Sequence, residues 1–412
     1  MRSAIVVGGG LAGIAAAAAL SEAGYTVDLY EARPFLGGRA TSYIIDGETI
    51  DNCQHVLMAC FDNLLDLYRR LGVSDRIRFH REFYFVEPGG RVSVLKAGRF
   101  PAPAHFLEAF ARLKFLGAGD KIAIAQAMAR VPSAGDCDDI TMLDWLREQR
   151  QTPRAIERFW RQVLVSAINE ELGRMSARYG LQVFRTGFLS SASAYEMGLA
   201  AVPLAELYDV RLPGVTVHLR SAVNRLADLP AADAIVCAVP FERLAALAPE
   251  LDVPAFEHSP ITGIHLWFDR PVMDLPHATL LDRTIQWAFN KRDGRYVQLV
   301  VSASRSLVET SREQVIELAV AELTEFFPQV RGAALERAHV VKELRATFSA
   351  RPGLARPGPR TRIPNVFLAG DWTDTGWPAT MEGAVRSGYL AAEAVVGQAL
   401  GPRRTLSPPG EA

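Results

Sequence analysis

The sequence predicts an α/β protein: a Rossmann-like dinucleotide-binding domain with an inserted substrate domain of mixed sheet plus helices. Three observations carry that prediction. The chain opens on an apolar run, a glycine turn and an alanine-rich helix. It closes on a second strand, acid and helix around Asp371 and Gly383. Between them, alternating and helical patterns succeed one another without an internal repeat. At 412 residues the chain exceeds one typical core, so two domains are expected.

Ala4-Ile-Val-Val7 reads as the first strand, followed by Gly8-Gly9-Gly10-Leu-Ala-Gly13 and then the helix. Gly8 permits the sharp turn, Gly10 lets the backbone approach a pyrophosphate, and Gly13 lets the helix lie close to the strand. The helix N-terminus offers N–H groups and partial positive charge to phosphates. Thr26-Val-Asp-Leu-Tyr30 is the second strand, and Glu31 at its end is placed to accept a bond from a ribose hydroxyl. Gly37-Gly38-Arg39 adds a second glycine turn with a cation, which a plain nicotinamide site does not require. That addition points to FAD.

Phe61 to Leu71 has helical spacing, and Arg76 to Leu95 alternates as strands around the turn Pro88-Gly89-Gly90. Residues 104–205 read as mostly helical, with breaks near Gly117, Ser133 and Pro153. Strands are expected at Val215–Leu219, Ala234–Val239, Thr262–Phe268 and Tyr296–Ser302, and a helix from about Arg312 to Phe326. The chain then returns to the cofactor domain at Asn365-Val-Phe-Leu-Ala-Gly-Asp371, and a last helix runs from Gly383 to about Ala399. In the flavin reading Asp371 bonds the ribityl or pyrophosphate region, and the N–H groups of the Gly383 helix face the pyrimidine edge, where reduced flavin is negative. The expected cofactor domain is residues 1–75, 206–255 and 341–400; the substrate domain is 76–205 and 256–340; residues 401–412 form a flexible tail.

Taken together, GGGLAG, LGGRATS and AGDW…MEGAVRSG resemble the FAD-dependent amine oxidase and phytoene desaturase superfamily. Asp51-Asn-Cys-Gln-His55 narrows the likeness, being similar to the DNGQH segment of the squalene-associated hydroxysqualene dehydroxylases. Phe159-Trp160 through Ala167-Ile-Asn169, and Asp371 to Pro378, resemble further segments of that family. The resemblance implies FAD contacts at Gly8, Gly10, Leu11, Ala12, Gly13, Glu31, Ala32, Arg33, Gly38, Arg39, Val223, Gly370, Asp371, Met381, Gly383 and Ala384. It implies reductive removal of the hydroxyl of hydroxysqualene to give squalene, with a C30 isoprenoid as substrate and upstream squalene and presqualene enzymes as partners. Cys53 departs from the pattern, standing where the family has glycine, so a turn needing φ > 0 would be strained there. A carotenoid-type desaturase, an amine oxidase and a flavin or lipid carrier stay open, because cofactor motifs do not record the direction of hydride flow. No lysine near the flavin is evident from the sequence.

His55 is the foremost candidate to orient or protonate a substrate hydroxyl, with Asn52, Gln54 and Asn169 as further catalytic candidates; each has an ordinary structural role as its alternative. His265 is expected to face solvent or a structural partner. Phe83, Tyr84, Phe85, Phe159, Trp160, Trp267 and Phe268 are candidates for apolar walls or plain core. Pro103 to Val131 combines apolar faces with Arg112, Lys114, Lys121 and Arg130, as a membrane-surface helix pair or packing helices would.

A net charge of −1 gives no bulk reason to bind nucleic acid. Cys53, Cys60, Cys137 and Cys237 lack metal-site spacing, so no metal and no disulfide framework is expected. The glycine turn breaks the only stretch resembling a secretory signal, and no apolar run is long enough to span a membrane. A cytoplasmic protein, at most peripheral at the inner face of the cell membrane, is expected.

Overall fold

In the computed structural model, residues 2–209 and 211–402 are described. Strand β1 (Ser3–Val7) lies at the centre of a parallel sheet because both its faces are apolar, the pattern of a strand covered on two sides. It pairs with β2 (Thr26–Tyr30) on one side and with β4 (Ala234–Cys237) on the other. Strand β3 (Val215–His218) flanks β2, and β5 (Val366–Leu368) completes the sheet beyond β4. Its five strands run in the order β3-β2-β1-β4-β5.

Helix α1 (Leu11–Glu22) is buried along its whole length from Leu11 to Leu20, which explains its alanines. It is sandwiched between the sheet and the closing helix α2 (Met381–Val396), and only small residues permit that approach. A Cβ on Gly388 of α2 would stand 2.2 Å from the Ala12 carbonyl oxygen. The first and last segments of the chain are thereby locked together.

A seven-stranded sheet forms the second layer system. Across it lie Leu335–Phe348, His258–Phe268, Tyr296–Ser302, Trp287–Arg292, His277–Leu280, Phe83–Val86 and Val92–Leu95. Strand alternation gives it two distinct faces. Ile264, Leu266, Val297, Leu299 and Val301 pack with Val315, Ala319 and Leu323 of the helix Arg312–Phe326. Phe83, Phe85, Phe289 and Val300 belong instead to the core shared with Phe159, Trp160, Leu164 and Phe184 of the helical part. Two π-helical segments, Ile156–Trp160 and Val183–Phe188, bring those last aromatics together; Trp160 and Phe184 meet edge-on at 4.8 Å.

Several expectations need correction. The Arg76–Leu95 run is divided between two sheets: Ile77–His80 pairs with Met197–Ala200, while Phe83–Val86 and Val92–Leu95 form the hairpin at Pro88-Gly89-Gly90. Met197–Ala200 is a strand inside the stretch read as helical. The break expected near Pro153 is present at residues 149–152, and Pro153 starts the next helix after the Thr152 cap, whose hydroxyl accepts the Ala155 N–H at 3.1 Å. The tail from residue 403 lies outside the described residues.

Candidate cofactor cradle and active site

The candidate FAD residues gather at the carboxyl ends of the parallel strands, where ligands of such sheets bind. Gly8 has φ +109°, and a Cβ there would lie 2.5 Å from the Ala238 carbonyl oxygen. A Cβ on Gly13 would lie 1.8 Å from the Gly8 carbonyl oxygen, so α1 meets the turn itself, not only the strand. Gly10 differs: nothing lies closer than 3.9 Å to where its Cβ would be. Its missing side chain leaves open space beside the first-turn N–H groups of Leu11 and Ala12, which have no intrahelical acceptor. That space fits a phosphate.

The second glycine turn lies against the first. Gly37 N–H donates to the Gly9 carbonyl at 2.9 Å, and a Cβ on Gly38 would come within 2.9 Å of Gly10 Cα. The Glu31 carboxylate accepts the Gly9 N–H at 2.6 Å and the Arg33 N–H at 2.7 Å. A carboxylate has about four acceptor sites, so this anchoring leaves capacity for ribose hydroxyls. Val223 follows β3 on the segment whose Ser221 and Arg220 N–H groups bond the Glu31 and Arg33 carbonyls.

Arg39 spans the two ends of the cradle. Its guanidinium donates to Asp371 at 2.6 Å and to the Ala346 carbonyl at 2.6 Å. The Asp371 charge raises the Arg39 pKa against the opposing effect of burial. At the start of α2 the expected donors change. Gly383 N–H goes to the Thr380 hydroxyl at 3.0 Å and Ala384 N–H to the Thr380 carbonyl at 3.0 Å. The first-turn donors left for a ligand are therefore those of Met381 and Glu382. Gly383 serves packing, since a Cβ there would meet the Pro378 carbonyl at 2.9 Å. The buried Glu382 carboxylate caps another helix, Asp62–Arg70, accepting from Asn63 Nδ2 at 2.6 Å and Leu64 N–H at 2.8 Å.

Next to Arg39 runs the Asp51–His55 segment. Asn52 Nδ2 donates to the Arg39 carbonyl at 3.1 Å, while Asn52 Oδ1, His55 Nδ1 and Thr41 Oγ1 are buried with no partner. Burial, the largest influence, lowers the His55 pKa against the pull of Asp51. Cys53 adopts φ +58°, the strained conformation expected of a residue in a glycine position. Its buried thiol, against Gly263, is pushed up to about 12 by desolvation and is un-ionised at neutral pH.

Lys291, which the sequence did not single out, holds this segment. Its ammonium donates to Asp51 at 3.2 Å and to Gln54 Oε1 at 3.1 Å, and Gln54 Nε2 donates to the His55 carbonyl at 3.0 Å. The lysine reaches across because its strand bulges between Asn290 and Arg292. Standing between Asn290 and Arg292 at the polar end of its strand, the lysine carries no sequence signal that sets it apart. Asn169, in contrast, does not join the site. Its amide donates to the Ser259 carbonyl and Thr347 Oγ1, both at 2.9 Å, and accepts the Ala303 N–H at 2.7 Å. With φ +59° it ends a helix and ties it to two strands and to the turn after a third, which commits both its N–H donors. His265 is fully buried rather than solvent-facing, with Nδ1 2.7 Å from the Tyr296 hydroxyl.

Comparison with known proteins agrees with this geometry. The family model for flavin-containing amine oxidoreductases matches residues 11–396. The chain is 31% identical over 427 residues to a hydroxysqualene dehydroxylase of Rhodopseudomonas palustris, covering 95% of this chain and 97% of that one. It is 27% identical over 461 residues to a 15-cis-phytoene desaturase of Synechococcus elongatus, covering 96% of each. Among solved structures, an oxidoreductase from Methanosarcina mazei superposes with a TM-score of 0.72 at 15% identity, covering 96% of this chain and all of that one (100%). A putrescine oxidase bound to putrescine gives 0.63 at 18% identity, covering 96% and 99%.

Proposed function

The chain belongs to the flavin-containing amine oxidoreductase family and is an FAD-dependent oxidoreductase, and from that premise we propose that it removes the hydroxyl of hydroxysqualene reductively to give squalene. The observation that carries this reading is the Asp51–His55 segment, where buried, unpartnered polar atoms of Asn52 and His55 stand beside the Arg39–Asp371 pair. Replacing C–OH by C–H takes two electrons and two protons and releases water, so the site must handle an oxygen that leaves. A desaturase acting on a hydrocarbon has no such oxygen.

Bound FAD supplies the two-electron redox centre. The chain's own groups would do the rest: the α1 N-terminus and Gly10 would hold the pyrophosphate, Glu31 the adenosine ribose, and Asp371, paired with Arg39, the ribityl or pyrophosphate region. His55, kept neutral by burial, orients the hydroxyl by a hydrogen bond instead of acting as a standing imidazolium. Lys291 and Gln54 fix the segment that carries it.

Anaerobic incubation of the chemically reduced holoenzyme with hydroxysqualene should yield squalene, detected by mass spectrometry. Absence of squalene, with oxidised holoenzyme instead introducing a double bond into phytoene, would favour the second reading, a carotene desaturase; relatives of that kind are about as similar.

We further propose that the substrate is drawn from a membrane surface. No helix among the described residues is long and apolar enough to cross a membrane, but Leu107 and Ile122 are 62% and 60% exposed on neighbouring helices. Arg112, Lys114 and Lys121 lie close to them in sequence. Sedimentation with anionic vesicles should deplete the wild type and release a Leu107→Asp, Ile122→Asp variant; equal partition of both would refute this surface.

A further inference from the structure

His277 pairs with Phe289, Phe289 with Gln298, and Gln298 with His265, so these four residues form a straight row across the large sheet. They share the face turned away from the helix Arg312–Phe326. His277, Gln298 and His265 are fully buried. Yet neither amide atom of Gln298 has a partner, nor does Nε2 of His265, and the buried His277 ring has only the Glu82 backbone beside it. Thr279, two residues along the same face, has an unpartnered hydroxyl as well. Elsewhere on this face the covering helix does satisfy polar groups: Trp287 Nε1 donates to Ser166 Oγ at 2.7 Å. An unmet buried amide is costly and rare, so a file of such groups marks a place where a polar guest completes the bonding.

The row has two ends. At one, His277 meets His80 edge-on at 5.2 Å, and His80 lines a surface cavity of about 660 Å³. Toward the other, where His265 ends the row, Gln298 is the diagonal neighbour of Gly263, against which Cys53 of the Asp51–His55 segment packs. We propose that Gln298, with His277 behind it, reads the substrate's hydroxyl and so selects an isoprenoid alcohol over the hydrocarbon of equal length. An alcohol offers one donor and two acceptors to an amide that has one acceptor and two donors to fill; a hydrocarbon offers none. The inference rests on the alcohol reading above, and it assigns specificity to residues outside the Asp51–His55 segment.

The test is binding without turnover, on oxidised holoenzyme titrated with hydroxysqualene and with squalene and followed by the flavin absorption spectrum. Wild type should prefer the alcohol. Gln298→Leu, close in volume, should weaken alcohol binding about ten-fold or more, leave squalene binding unchanged or tighter, and raise the thermal midpoint of the ligand-free protein. Thr279→Val is the milder second variant and should shift the preference the same way by a smaller factor. A wild type without preference, or a Gln298→Leu protein that keeps it, overturns the proposal. So does a lowered midpoint with preference intact, which would mean that the amide has a structural partner such as ordered water. Squalene formation by the reduced enzyme reads the reaction separately: a protein that fails that assay but loses its alcohol preference in Gln298→Leu keeps the row and drops the reaction.

Discussion

Gly13→Ala is expected to purify without flavin colour. The added methyl group would stand 1.8 Å from the Gly8 carbonyl oxygen and 3.3 Å from Ala238 Cβ, so the first turn of α1 must move away from the glycine turn. Overpacking against backbone costs on the order of 3 kcal/mol, and here the displaced groups are the N–H donors meant for the pyrophosphate. The ratio of flavin to protein absorbance measures the loss, and circular dichroism shows whether the fold survives. Gly119→Ala is the matched control. It also lies in a helix, but nothing stands within 4 Å of the new Cβ, and it should keep its flavin and gain up to about 1 kcal/mol of stability. A stoichiometrically yellow Gly13→Ala protein would refute the role given to this turn.

Stability should fall steeply as the pH drops below about 6. His277 and His265 are each held down to about 3, in both cases mainly by burial. His80 adds to the effect on His277, with Glu82 opposing; His339 and Lys291 add to that on His265, with Asp51 opposing. Both folded-state values lie below the ordinary histidine value of about 6.5. On acidification the unfolded chain therefore binds protons first, and stability present above that value is lost as the pH falls toward the folded pKa. Each histidine contributes a slope of about 1.4 kcal/mol per pH unit, or about 2.7 kcal/mol for the pair. Urea midpoints at pH 7.5, 6 and 5 would show it. His277→Phe, set among Phe83, Trp287 and Phe289, should reduce the slope by the share of one histidine, about 1 kcal/mol per pH unit. A flat profile down to pH 4.5 would contradict the buried, neutral state of both rings.

The cofactor cradle was legible because its constraints are local. A turn that needs φ +109° at Gly8, a helix that touches that turn at Gly13 and an acid at the end of the next strand are all fixed within 31 residues. Parallel strands buried on both faces and an alanine helix between two layers are written equally plainly. What escaped depends on partners distant in sequence. Met197–Ala200 has little strand character of its own and becomes one by pairing with Ile77–His80. Lys291 matters only because a bulge turns it toward Asp51, and Gln298 only because the register aligns it with His265. Asn169 is a polar residue in a recognisable helix, but its three bonds to Ser259, Thr347 and Ala303 belong to tertiary structure. The donors at the start of α2 lie two positions earlier than expected because the Thr380 cap starts the helix at Met381 and takes the Gly383 N–H.

The Arg39–Asp371 pair joins residues 332 positions apart, and it bears on how the protein is made. Translation adds roughly 5–20 residues per second, so the N-terminal half of the cradle leaves the ribosome on the order of tens of seconds before β5 and α2 exist. Throughout that interval α1 lacks the helix that covers it, and its run of alanines and leucines stays open to solvent or to a chaperone. Cofactor capture thus waits for α2, which seals both the apolar face of α1 and the flavin site in one step.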